Sequence, residues 1–350
     1  MRYSKVFLES LGYELPPYVV TTRELEDRIL PVYEALRISP GQVEAMTGIA
    51  ERRWWEEGFQ IATGAVAAAR KTIEGSGVEP HEIEAVVYAG VCREQLEPAT
   101  ACRVAAEIGA SPTAAVYDVS NACLGVLNGI LDVANRIELG QIRAGIVVTC
   151  ESARDITEIT IARMLESPTL EIFSSSLATL TGGSGAAAVL LTDGSFSRDG
   201  RRRLRGAVLR TAPERHGLCR WGFVPKGREL AAGFSQLMTT DSVSVLKYGV
   251  ELGLKTWETF LRALDWTRDH VDKVICHQVG SSHRVSILDR LGIPSDRDFT
   301  TFQYLGNMGT VSLPLTAALA ESRRFLRPGD RVGFLGIGSG LNCLMLGLEW

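Results

Sequence analysis

Three side chains with chemistry to offer stand where strand-like runs end: Cys123 in DVSNACLGVLNGI, His277 closing VDKVICH, and Asn307 in the turn after TTFQYLG. A thiolate can accept an acyl group as a thioester, and two N–H donors can hold an enolate or a tetrahedral oxyanion. The set therefore fits acyl transfer on thioesters. Residues 114–119 form a strand-like run, and apolar residues recur at helical spacing from Leu124 through Ile137. Cys123 is thus expected in the first turn of a helix, where unsatisfied N–H groups and the helix dipole favour thiolate and would lower its pKa. A small apolar thiol packed under a sheet is the commoner fate of a cysteine. The company of a histidine and an asparagine weakens that reading.

The elements around these residues alternate. Runs 84–88, 114–119 and 144–149 read as strands and 100–108 and 124–138 as helices, the pattern of an α/β protein with a mostly parallel sheet. A second copy follows: strand 271–277, helix 286–291 closed by Gly292, strand 299–304, helix 313–325 and strand 331–335. VDKVICHQV answers IEAVVYAGV, and TTFQYLGNMG answers TAAVYDVSNACLG in a register that pairs Asn307 with Asn121 and Gly309 with Cys123. The chain reads as a duplicated unit, with halves 1–194 and 195–350. Equivalent loops of two such halves meet at the carboxyl ends of their strands, so Cys123, His277 and Asn307 are expected to converge.

Composition removes several function classes. The 350 residues are 45% hydrophobic, enough for a large core, and 37 basic against 41 acidic residues leave a net charge of −4. Nothing in that balance attracts nucleic acid or an anionic membrane. The first twenty residues hold no apolar signal region, and no stretch has the length of a membrane span, so a cytoplasmic protein without membrane insertion is expected. Seven scattered cysteines without a C-x-x-C pair imply neither disulfides nor a metal site. The arginine-rich run at Arg198, Arg201, Arg202, Arg203, Arg205 and Arg210 is either a solvated face or a docking patch for phosphates of a carrier or coenzyme A. Residues 153–180 are apolar beyond the needs of a connection, and read as a cap on an apolar channel or as a satellite core.

In order and spacing, Asn121-Ala-Cys123, His277-Gln278, Gly306-Asn307 and Gly336-Ile-Gly338-Ser339-Gly340-Leu341 resemble the thiolase-fold condensing enzymes of the β-ketoacyl-ACP synthase III branch, over essentially the whole chain. The resemblance implies a thiolase fold, two pseudo-duplicated halves in a layered α-β-α-β-α core. It implies an acylated Cys123, an oxyanion hole from the backbone amides of Cys123 and Ser339, and an enolate held by His277 and Asn307. The stretches CREQLEPATA, HQVGSSH and LGIGSGLNCLMLGLEW look most like the OleA-type thiolases, which join two fatty acyl-CoAs head to head. Those enzymes carry a glutamate at the position of Glu97 that enters the neighbouring subunit's site, where synthase III has an apolar residue. Decarboxylative synthases generate their carbanion by losing CO2, whereas joining two plain acyl-CoAs requires a base for a weakly acidic α-proton.

The resemblance thus implies a homodimer acting on fatty acyl-CoA or acyl carrier protein, with Glu97 as base and no metal or redox cofactor. The alternative is a decarboxylative 3-oxoacyl-ACP synthase III using malonyl-ACP or malonyl-CoA, which would share Cys123, His277 and Asn307. The coenzyme A contacts of synthase III do not carry over, since Gln42 and Met46 occupy the place of its Trp and Arg, and Gly280 that of an Asn. Arg52 and Arg53 could pair with phosphates instead, with Trp54 and Trp55 either stacking or in the core. Phe173 and Leu177 are candidates for setting channel length, and His283 reads as a supporting residue.

Overall fold

The structure, a computed structural model, describes residues 1–196, 202–227 and 233–350. Nine strands form one mixed sheet in the order Lys273–Cys276, Arg331–Gly338, Asn342–Glu349, Arg202–Thr211, Phe7–Glu14, Gly185–Thr192, Ala144–Glu151, Ala85–Ala89, Ala115–Val119. Ala85–Ala89 runs parallel to both its neighbours, and Lys273–Cys276 runs parallel to Arg331–Gly338. The two groups of strands are joined where Phe7 and Leu8 pair with Arg203 and Arg202, and a bridge from Arg2 to Gly206 extends the seam.

Strands apolar on every residue must be covered on both faces. Alternation divides them cleanly. Val87, Ala89, Leu344, Leu346 and Leu348 point into one shared core with the helices Gly125–Glu138 and Ser312–Ser322. Val86 and Tyr88 point outward onto helices Ile61–Glu74 and Thr100–Ile108. Cys343 and Met345 point the other way, onto Ser242–Leu264 and Ser281–Leu291. The result is the expected α-β-α-β-α layering, with two helices sandwiched between the strands of the two halves. At Gly336 a Cβ would lie 2.4 Å from Leu127 Cδ1, so a glycine lets the central helix approach the strand that leads to the site.

Two local expectations change. The central helix begins at Gly125 with Leu124 as its cap, so Cys123 precedes the first turn rather than lying in it. Residues 299–304 are not a strand: a single bridge at Asp298 gives way to the short helix Phe302–Leu305. Gln278 Oε1 accepts the backbone N–H groups of Thr301 (3.0 Å) and Phe302 (3.3 Å), and this contact from the HQ turn overrides the local β preference.

The segment 153–180 folds as two helices, Arg154–Glu166 and Leu170–Leu180. Their Ile161, Met164 and Phe173 join Leu25, Ile29, Tyr33 and Trp54 in an apolar cluster separate from the main core, with the Phe173 and Tyr33 rings edge to face at 5.7 Å. Of the arginine run, Arg198 and Arg201 lie outside the described residues. Arg202 bonds Glu321 and the Glu9 carbonyl, Arg205 pairs with Glu349, and Arg210 donates to Thr259. These side chains hold strands to their neighbours.

Candidate active site

The turn Asn121–Cys123 is built by Leu124 N–H donating to Asn121 O and Gly125 N–H to Ala122 O, with Ala122 at a left-handed φ of 45°. Such a turn presents the Cys123 side chain at the mouth of the sheet with its own backbone N–H beside the sulfur. Opposite stands the end of the strand Arg331–Gly338, where a Cβ on Gly338 would lie 3.4 Å from Cys123 N. Asn342 ties the two together: its Nδ2 donates to Asn121 Oδ1 (3.1 Å) and to Ser339 O (3.2 Å), while Asn121 Nδ2 donates to Asn128 Oδ1 (2.8 Å). A chain of carboxamides therefore sets the spacing between the Cys123 turn and the Ser339 loop.

His277 leaves the parallel strand next to Arg331–Gly338, with its N–H donating to Leu335 O. Burial drives its imidazole down to about 3, with His283 adding to the effect, and drives His283 itself to about 4. Both rings are neutral at physiological pH. The Nδ1 of His277 is buried without a hydrogen-bond partner among the described residues, a polar atom that a bound group would satisfy.

Asn307 is fixed by its backbone. Its N–H donates to Thr181 O (2.9 Å) and its carbonyl accepts from Gly183 N (2.9 Å). This crossing needs glycine on both chains, because a Cβ on Gly183 would lie 1.9 Å from Leu305 O and one on Gly306, at φ +67°, 2.6 Å from Thr181 O. Asn307 Oδ1 accepts the Gly309 N–H (3.0 Å), which leaves Nδ2 as the free donor. The turn leading into Ser312–Ser322 meets the start of the helix Gly125–Glu138 here as well, Thr310 Oγ1 accepting the Val126 N–H at 2.8 Å.

The electrostatics differ from the expectation. Cys123 is not held as a thiolate; burial, reinforced by the nearby Cys219 and Glu151, pushes its pKa up to about 12. The residue is only half-buried, but with the thiol outside the helical turn and crowded by protein atoms, desolvation outweighs the dipole. Glu151 itself, at the end of Ala144–Glu151, is buried and its carboxyl is raised by burial. Sequence reading passed over Glu151, Cys219 and Asn342. A carboxylate closing an otherwise apolar strand is the one signal that was available.

Glu97 is not brought to Cys123 within the chain. It stands exposed on the loop between Ala85–Ala89 and Thr100–Ile108, beside Leu96, which is 93% exposed. Arg52 is a correction: it is fully buried, its guanidinium donating to Val20 O, Thr22 Oγ1 and Leu180 O, so no phosphate can reach it. In the strand Glu51–Trp54 it shares the inward face with Trp54. Arg53 faces the other way and donates to Pro16 O at 3.4 Å. Both tryptophans are core residues, Trp55 stacked on Phe59 at 4.1 Å. Among the described residues no cluster of potential metal ligands occurs.

A half-buried cysteine, two neutral donors and a glycine loop at the junction of two fused α/β halves define a thiolase-fold condensing enzyme. Residues 261–350 match the family described as 3-oxoacyl-[acyl-carrier-protein (ACP)] synthase III, C terminal. The chain is 58% identical to an acyl-CoA:acyl-CoA alkyltransferase of Shewanella oneidensis and 33% identical to one of Xanthomonas campestris, each alignment covering 100% of both chains. It is 31% identical to a beta-ketoacyl-[acyl-carrier-protein] synthase III of Streptomyces coelicolor, over 98% of this chain and 96% of the other. Cerulenin-bound Xanthomonas campestris OleA superposes with a TM-score of 0.93 at 33% identity, covering 100% of this chain and 98% of that one. A variant of the same enzyme with lauric acid and lauroyl-CoA bound gives 0.92 at 33% identity, covering 99% and 100%. The chain belongs to the OleA family of acyl-CoA:acyl-CoA alkyltransferases.

Proposed function

We propose that the protein condenses two fatty acyl-CoAs without decarboxylation, as a homodimer in the cytoplasm. In the first half-reaction the Cys123 sulfur attacks the thioester carbonyl, and neutral His277 takes the thiol proton. The tetrahedral oxyanion rests on the backbone N–H groups of Cys123 and Ser339, and collapse expels coenzyme A thiolate, which recovers the proton. In the second, the partner subunit's Glu97 removes the α-proton of a second acyl-CoA. The enolate oxygen is held by a His277 N–H and Asn307 Nδ2. Its carbon attacks the acyl-cysteine, the same oxyanion hole is used again, and the Cys123 sulfur leaves and takes up the proton that the partner subunit's Glu97 removed, which restores both groups. Two acyl-CoAs become one 2-alkyl-3-oxoacyl-CoA and one free coenzyme A, a balance that needs no metal or redox cofactor.

Arg53, Phe173 and Leu177 are proposed substrate contacts, Arg53 at the phosphate end and the other two along the acyl chain. The single observation that carries the reading is a carboxylate, Glu97, presented on an exposed loop rather than folded into its own chain. Glu97→Gln keeps the shape and removes the base. Acylation of Cys123 should then proceed at the parent rate while carbon–carbon bond formation stops; normal product yield would refute the role.

A further inference from the structure

The loop that carries Glu97 leaves the carboxyl end of Ala85–Ala89, the strand flanked on both sides by parallel neighbours. Each neighbour reaches over to hold it. From one side Glu151 accepts two consecutive backbone N–H groups at the start of the loop, Val91 (2.8 Å) and Cys92 (3.0 Å), one on each carboxylate oxygen. From the other Asp118 does the same at its end, accepting Thr100 N–H (2.9 Å) and Ala101 N–H (3.0 Å). Both carboxylates are sunk beneath the loop, Glu151 at 5% exposure and the Asp118 side chain at 7%. Residues 93–98 between them are exposed. Each fork also reads as part of a wider brace. Arg93 lies 3.9 Å from Asp118, and a Cβ on Gly309 would sit 3.7 Å from Glu151 Cγ, so Glu151 also borders the Asn307–Gly309 turn.

We propose that Glu151 and Asp118 are positioning residues for carbon–carbon bond formation: a pair of carboxylate forks, one from each flanking strand, that fixes both ends of the loop and so sets where Glu97 is delivered into the neighbouring subunit. The inference rests on the reading of Glu97 as a base acting across the dimer. An exposed loop bears the entropy of every residue it does not anchor, and a base displaced by about 1 Å can lose on the order of 100-fold in rate. The two carboxylate forks restrict the loop at its ends and Glu94, whose Oε1 accepts the Ala62 N–H at 2.7 Å, ties it again just inside the first, while residues 95–98 at the tip stay exposed to enter the partner.

Full-length mixed dimers test this, with Cys123→Ala on one subunit so that a single live cysteine remains, and one long-chain acyl-CoA as the probe. Asp118→Asn or Glu151→Gln keeps the shape but turns one accepting oxygen into an NH2 group facing a backbone N–H. Placed on the Cys123→Ala subunit, whose loop serves the live site, either substitution should leave acylation at the control rate and slow condensation on the order of 10- to 100-fold. Asp118→Asn placed instead on the live subunit should leave both steps at the control rate. Equal slowing in the two arrangements, or none in either, overturns the proposal. Glu97→Gln in the same two arrangements tests the underlying reading separately: slowing only when it sits on the live subunit would mean that Glu97 acts within its own chain, whatever the forks do.

Discussion

The two neutral histidines make the fold sensitive to mild acid. Burial lowers His277 from 6.5 to about 3 and His283 from 6.5 to about 4, so below the unfolded value the unfolded chain binds protons that the folded one refuses. Stability contributed by the neutral rings is complete above pH 6.5 and is lost as pH falls toward the folded values. At pH 5 the unfolded imidazole lies about 1.5 units above the pH, and at about 1.36 kcal/mol per unit each ring costs about 2 kcal/mol. Both together are a large share of a typical stability of about 5–15 kcal/mol. Glu151 and Asp298, whose carboxyls burial raises, act in the opposite direction. Comparing the parent with His283→Asn cancels them. Urea unfolding of both proteins at pH 7.5 and pH 5 should show the parent losing up to about 2 kcal/mol more than the variant. Because His283 also depresses His277, the variant should let His277 titrate at higher pH. Parallel pH profiles for the two proteins would refute the buried, neutral assignment.

Two further substitutions separate structure from chemistry. Arg52→Met should cost about 3 kcal/mol in urea unfolding by stranding three buried acceptors, and should leave the KM for acyl-CoA unchanged in the protein that folds; a rise in KM alone would return Arg52 to the binding site. Asn342→Leu removes the link between the Cys123 turn and the Ser339 loop, and should slow acylation on the order of 10-fold or more in single-turnover assays, with a smaller effect on binding.

Cys123 and His277 were legible as candidates because they lie just past strand ends, and fully apolar strands announce themselves. Asn307 instead follows the short helix Phe302–Leu305, and what points to it is the register pairing it with Asn121, since both turns lead into the sandwiched helices. What escaped depends on contacts between distant residues. The segment TTFQYL has the composition of a strand, but Gln278 supplies the acceptor that starts a helix there. Arg52 looks like a surface cation until its parity with Trp54 in a short strand turns it inward. Cys123 looks primed by a helix dipole until its burial is known, and desolvation is a property of the whole fold. The carboxylate forks on the Glu97 loop join residues 60 and 18 positions apart in sequence, so no local pattern signals them.

The central claim is that carbon–carbon bond formation here starts from two plain acyl-CoAs. Incubating the purified protein with a single long-chain acyl-CoA and no malonyl donor, while following free coenzyme A and identifying products by mass spectrometry, tests it directly. The account predicts a branched β-keto product, or the ketone left by its decarboxylation, with one coenzyme A released per condensation. Acylation of Cys123 that halts until malonyl-ACP or malonyl-CoA is added would contradict it and make the protein a chain-extending synthase.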